Sequence, residues 1–318
     1  MSDALRETTV ERTRHGPFER IVLMRPAAYA VGDMPPIAQL SVYRAGRWLI
    51  DSGGTRFAEA LVEALRATPI EGVILTHQHE DHAGGLAALR RAFGAIPIFA
   101  PRGHLPIIER AAPVPRYRAD YWGDPEPVGE LQPFDPGARF ELGRVTVEAI
   151  ETPGHTVDHV TFLGETTGEV WAVSGDLYLS KRPCPIFYES AIDALLTSYR
   201  RLAAVGAALR LLPTHGRTRE DGARTLHESA DWIAREVEAI QAIAEELATR
   251  DPHVIAAARY GAEDLMGDLT RGEISRAAFV RGVIDPVRTL PAAPIAPIAP
   301  LTPDVPNPLL TEPSGGYL

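Results

Sequence analysis

Three histidines and an aspartate fall within six residues of the stretch Thr76-His77-Gln78-His79-Glu80-Asp81-His82-Ala83-Gly84-Gly85. The apolar run Val73-Ile74-Leu75 precedes them and a helical pattern follows, so they belong at the end of a strand. Ring nitrogens and carboxylate oxygens need partners when buried, so such a cluster is no core filler. At this spacing the four groups can converge on metal. Residues 77 and 79 alternate to one side, while Asp81 and His82 point to another, an arrangement suited to two adjacent ions.

A second cluster, Glu151-Thr152-Pro153-Gly154-His155-Thr156-Val157-Asp158-His159, also lies just past a strand. Asp176 ends a further apolar run as Ser-Gly-Asp, and His215 ends another as Pro-Thr-His-Gly. Several strand ends meeting on one edge is how α/β folds assemble sites. His159, four residues after His155, reads as a supporting residue rather than a ligand. His15, His104, His227 and His253 have no such context and are expected at the surface. Cys184 stands alone between two prolines, which leaves neither a disulfide nor a thiolate cluster.

These residues need strands and helices to hold them. From about Ile21 to His215, short β-rich runs alternate with amphipathic stretches, a mixed α/β pattern. Expected strands include Ser41–Arg44, Arg47–Ile50, Gly72–Thr76, Ile96–Ala100, Val145–Ile150 and Leu209–Leu212. Val160–Leu163 and Val170–Ser174 flank Gly164–Gly168 and should pair as a hairpin. Phe57–Ala67, Gly85–Phe93 and Ala191–Ala204 are expected helices. A Pro-rich, aromatic and basic loop is expected between Pro101 and Gly137, where Tyr121 and Trp122, with Tyr178 elsewhere, are candidate substrate contacts.

Beyond His215 the pattern becomes helical. Arg219 to Arg250 carries apolar residues at helical spacing, followed by shorter helices near His253–Tyr260 and Ile274–Val283. The stripe must be covered by the sandwich edge or by a partner subunit in a homodimer. The expectation is that this extension, with the Arg116–Trp122 loop, roofs the site. From Pro291 a proline recurs every third residue up to Pro306, the period of polyproline II. The expected division is residues 1–216, a helical extension over 217–290 and a Pro-rich tail over 291–318.

Composition bounds the partners. The 318 residues carry a net charge of −10, which argues against a nucleic-acid binder relying on clustered cations. No long apolar run is present for a membrane span, and no apolar run near Met1 reads as a secretory signal. The expected location is the cytoplasm, with a small-molecule substrate. Lys181 is the one lysine among 32 basic residues, so arginine at any given position carries little information.

Taken in order, His77-x-His79-x-Asp81-His82, His155, Asp176 and His215 closely resemble the metal motifs of the metallo-β-lactamase fold hydrolases. Asp51, in Trp48-Leu49-Ile50-Asp51-Ser52-Gly53-Gly54, matches that family's early aspartate, which supports the site without binding metal. The resemblance covers about residues 20–216. It implies an αββα sandwich with metals at one edge of two packed sheets. Carried over by position, His77, His79 and His155 would hold one ion, Asp81, His82 and His215 the second, and Asp176 would bridge. Zinc is the first choice for both ions, with iron or manganese compatible with the same donors.

The chemistry this resemblance implies is metal-assisted hydrolysis, in which a metal-bridging hydroxide attacks an ester-like carbonyl and Asp81 orients it. Among the family's reactions, a β-lactamase is disfavoured without a secretory leader. Glyoxalase-II-like thioesterases share Thr-Pro-Gly-His-Thr, although no basic glutathione-binding tail follows His215. Acyl-homoserine lactonases carry a tyrosine shortly after the bridging aspartate, and Tyr178 is displaced from that position. The layout after His215 resembles a subgroup whose C-terminal helices cover the groove. The preferred reading is a thioester or ester hydrolase on a small or acyl substrate. A lactonase, or a metal-binding regulatory protein without turnover, is the alternative.

Overall fold

A computed structural model describes residues 8–26, 37–262 and 265–285; the proline-rich tail lies outside the described residues. Two sheets form its frame. The first runs in chain order: β1 (Thr9–His15), β2 (Phe18–Pro26), β3 (Ile37–Ala45), β4 (Trp48–Ile50), β5 (Gly72–Ile74), β6 (Ile98–Pro101) and β7 (Gln132–Phe134). Its first four strands are antiparallel and its last four parallel. Parallel neighbours need crossovers, supplied by α1 (Ala58–Leu65), α2 (Glu80–Ala83) and α3 (Leu86–Phe93).

Five strands make the second sheet: β8 (Arg139–Leu142), β9 (Val145–Glu151), β10 (Val160–Thr166), β11 (Glu169–Gly175) and β13 (Leu209–Pro213), with β13 on the β11 edge. The expected hairpin is β10–β11, in register from Phe162↔Val173 to Thr166↔Glu169. Helix α6 (Ile192–Ala203) carries the chain across to β13, which is parallel to β11.

Side-chain parity makes the sandwich. Tyr43, Ile50, Ile74 and Phe99 face inward and meet Val147, Phe162, Val173 and Leu212 of the other sheet. Their neighbours Val42, Leu49, Val73 and Ile98 face outward, under Phe57, Leu61 and Leu89 of the first helical layer. Both parities are apolar because both faces are covered. Ile150, Leu163, Ala172, Leu209 and Leu211 do the same on the second sheet, against α6 and the C-terminal helices. The result is the αββα order.

The C-terminal segment comprises α7 (Gly222–Glu246), α8 (Pro252–Tyr260), α9 (Leu265–Leu269), β14 (Ile274–Ser275) and α10 (Arg276–Ile284). Asp251 caps α8 by accepting from His253 N at 2.9 Å, and Ser275 caps α10 by accepting from Ala278 N at 2.9 Å. Of the helical extension and Arg116–Trp122 segment expected to roof the site, the long helix α7 takes no part. Leu226, Ala230, Ile233 and Ile240 of α7 pack with Leu209 and Leu211 on the outer face of the second sheet. What approaches the site is a short ribbon, β14 paired with β12 (Ile186–Phe187).

The stretch expected as a plain loop also differs. Between residues 101 and 137 the chain forms α4 (Leu105–Glu109), α5 (Arg116–Trp122) and β7. Pro115 before α5 and Gly123 after it, at φ 96°, supply its boundaries. The β1–β2 hairpin was not anticipated either, because β1 is an edge strand whose polar alternation hides its pairing. No described helix is long and apolar enough to cross a membrane.

Ile240 is fully buried whereas Leu247 is 44% exposed. Ile240→Ala should therefore cost ~2–5 kcal/mol in a denaturant melt, and Leu247→Ala under ~0.5 kcal/mol. A separate early transition for the C-terminal helices would contradict their sharing one core with the second sheet.

Candidate metal centre

The carboxyl ends of β4, β5, β9, β11 and β13 deliver Asp51, His77 with His79, His155, Asp176 and His215 to one edge of the sandwich, while the single turn of α2 carries Asp81 and His82. Backbone hydrogen bonds sew the two sheets together there. Val160 N donates to Thr76 O at 3.1 Å and Ser41 N to Thr214 O at 2.9 Å, while within the second sheet Thr214 N donates to Gly175 O at 3.1 Å.

Two groups of possible metal donors result among the described residues. His77, His79, His155 and Asp176 form one; Asp81, His82, Asp176 and His215 form the other, with donor atoms in each group within 4.8 Å of one another. Asp176 belongs to both. His155 Nε2 lies 2.9 Å from His79 Nδ1 and 3.5 Å from Asp176 Oδ2. On the other side His82 Nε2 is 3.3 Å from Asp176 Oδ1, and His215 Nε2 is 2.9 Å from Asp81 Oδ2. His77 Nε2, His82 Nε2 and Asp176 Oδ1 are buried without a hydrogen-bond partner. Orphaned donors of this kind, facing one another, fit divalent cations.

The other ring nitrogens of His77, His79, His82 and His215 are held. His82 Nδ1 meets Asp51 Oδ2 at 2.7 Å, His77 Nδ1 meets Thr76 Oγ1 at 3.0 Å, and His215 Nδ1 meets the Gln39 carbonyl at 3.0 Å. His79 Nε2 meets Glu189 Oε1 at 2.5 Å. Each contact orients an imidazole and frees its other nitrogen for a cation. Asp51 also accepts from Thr76 N at 2.8 Å, and it does so at φ 63°, a left-handed conformation that aspartate tolerates better than most residues.

His159 does not join either group. Its Nδ1 pairs with Thr152 Oγ1 at 2.9 Å, and its Nε2 accepts from Asp176 N at 3.2 Å, so it holds the turn that carries Asp176. Gly175 completes that turn at φ 49°, where a Cβ would lie 2.8 Å from His159 Nε2 and from Thr76 Oγ1.

Charge separates the two groups. Burial takes His77 far below the ordinary imidazole range, assisted by its histidine neighbours, and takes His155 down to about 3. Burial acts on His82 and His215 too, but carboxylates outweigh it. Asp176, Asp51 and Asp81 raise His82, and Asp176 and Asp81 raise His215 to about 9. Burial thus favours neutral imidazole at His77 and His155, whereas the neighbouring carboxylates favour imidazolium at His82 and His215.

Several expectations need correction. His104 is buried, 2% exposed, with neither ring nitrogen hydrogen-bonded, and burial lowers it to about 3. It follows β6 into the same edge, which local sequence did not indicate. Tyr178 is packed in the core under the C-terminal helices, its hydroxyl unpartnered, so it is no groove residue. Tyr121 packs against the first helical layer. Trp122 does reach the site, with its ring 5.6 Å from that of His215. Sequence reading missed Glu189, 110 residues from His79, and Phe187, whose ring lies 5.4 Å from that of His79. Neither carries a local signal.

Residues 43–215, more than half of the chain, match the family model of the metallo-beta-lactamase superfamily. The chain belongs to that superfamily. A hydroxyacylglutathione hydrolase of Acidiphilium cryptum is 30% identical over 203 residues, covering 61% of this chain and 74% of the relative. One from Ruegeria pomeroyi is 31% identical over 170 residues, which is 49% of this chain and 54% of that protein. Among solved structures, a beta-lactamase domain protein from Burkholderia ambifaria aligns with a TM-score of 0.59 over 89% of both chains at 16% identity. A metallo-beta-lactamase from Pontibacter korlensis aligns with a TM-score of 0.53 over 71% of this chain and 99% of that one, at 15% identity. At such identities the structural likeness establishes the fold.

Metal uptake should therefore split by pH. Cation binding at the Asp81/His82/His215 group must displace protons, so its affinity should rise with pH up to about 9, the value to which His215 is raised. At the other group, where burial lowers His77 and His155, binding should release fewer protons. Calorimetric zinc titration in buffers of different ionisation enthalpy distinguishes the two. A pair of equally pH-insensitive sites would contradict this electrostatic division.

Proposed function

We propose that this protein is a binuclear metal-dependent hydrolase of carboxylic thioesters or esters with small or acyl substrates. His77, His79 and His155 would hold one ion, Asp81, His82 and His215 the other, and Asp176 would lie between them. The observation that carries this reading is the shared position of Asp176 between two donor groups that include buried unpartnered atoms. Imidazole and carboxylate donors without thiolate suit zinc, and also iron or manganese. Such a pair of ions supplies a nucleophile from water near neutral pH and polarises a carbonyl oxygen.

The chain's own residues supply the rest. Glu189 and Asp51 fix the tautomers of His79 and His82. Asp81, whose Oδ2 meets His215 Nε2 at 2.9 Å, would be the carboxylate that orients a nucleophilic water. Phe187 and Trp122 limit water on either side of the donors through their rings.

Relatives named for a thioester hydrolysis support thioesters over other bonds. The lactonase alternative loses support because Tyr178 lies in the core. A small-molecule substrate is consistent with a net charge of −10 and no nucleic-acid role.

Hydrolysis of a panel of thioesters, esters and lactones should vanish on chelation and return with zinc, manganese or iron. Asp176→Asn should lower turnover by more than the ~10–100-fold typical of losing a supporting carboxylate, together with metal content. Metal-replete protein that cleaves nothing in the panel would favour the regulatory alternative.

A further inference from the structure

A cleft of about 200 Å³ lies against the His79–Glu189 pair, walled by Ile107, Ala112, Val114, Pro125 and Val128 of the 101–137 insertion. It opens outward at Ile107, which is 44% exposed. Its position places one end at a candidate metal donor and the other at solvent. Building this wall is work for a segment that lies outside the sandwich frame.

The charged residues on the wall are already paired. Arg118 donates to Glu80 from Nε at 2.7 Å and to Glu273 from Nη1 at 3.0 Å. Glu126 meets Arg91 at 2.5 Å, and Glu189 meets His79. None of these charges is left to hold an ionic substituent, and a charged tail would lose hydration without gaining a partner. The apolar remainder suits hydrocarbon, whose transfer from water needs no partner.

We propose that this cleft is the acyl pocket, taking an uncharged aliphatic acyl chain of about six carbons, since ~200 Å³ equals roughly seven water volumes of ~30 Å³. The proposal rests on the thioester or ester hydrolase reading and names its substrate class. The scissile carbonyl is then at the donor edge, and the chain runs between α2 and the insertion. Arg118 keeps the cleft's shape: through Glu80 and Glu273 it ties α5 to the metal-donor turn and to the residue before β14.

The test uses the full-length zinc-loaded protein with N-acetylcysteamine thioesters from acetyl to dodecanoyl. For wild type, kcat/KM should rise about fourfold per methylene, the ratio equivalent to ~0.8 kcal/mol, and level off near hexanoyl. Ala112→Trp and Val114→Trp, at half-buried positions on the wall, should lose tenfold or more on hexanoyl while staying within twofold on acetyl. A flat chain-length profile, or one unchanged in both variants, overturns the proposal. Hexanoate binding by calorimetry provides a readout independent of turnover, and binding of equal strength in wild type and both variants also overturns it. If hexanoate binds in wild type and is lost in the variants while no substrate is cleaved, the acyl pocket stands and the hydrolase reading fails.

Discussion

Buried polar atoms need partners, and the whole edge of this sandwich is organised around a set that lacks them. His77 Nε2, His82 Nε2 and Asp176 Oδ1 have no hydrogen bond, and each faces other donor atoms of the same cluster. Desolvating so many imidazoles and carboxylates is unfavourable unless cations or protons compensate. Protons satisfy only the half of the cluster rich in carboxylates. That is why His82 and His215 are raised while His77 and His155 are lowered. Asp176 sits where the two halves meet.

Holding that edge requires rigid anchors. Asp51 joins β4 to the first donor turn through Thr76 and His82. His159 reads the backbone of Asp176, and Thr76 O receives Val160 N from the opposite sheet. These bonds link residues far apart in the chain, so a change at any one should move donors contributed by several strands. Gly175 shows how little slack there is, since a single added carbon would collide with two of the anchors.

The parts beyond the common frame do different work. Helix α7 covers the second sheet and belongs to its core. The insertion and the β12–β14 ribbon instead approach the donors from outside, and Arg118 binds them to each other through Glu80 and Glu273. On the proposed reading, the hydrolytic chemistry would lie at the strand ends and the shape offered to substrate would be set by segments attached to the frame. Such a separation would let specificity change without disturbing the candidate metal donors.

His77, His79, Asp81, His82, His155, Asp176 and His215 were legible in the sequence because their chemistry is dense and each follows an apolar run. The αββα order was legible through the family resemblance those residues carry, and the helices through their periodicity. Glu189, Phe187 and the buried state of His104 were not legible. Each depends on a partner many residues away, and no local pattern records which loops meet across the edge. The same holds for α7: its stripe shows that it must be buried, but only the packed second sheet decides against what. Sequence indicated which residues could hold metal, because residue type is local. Tertiary structure decided which of them touch, because contact is a property of the closed sandwich and of the segments laid over it.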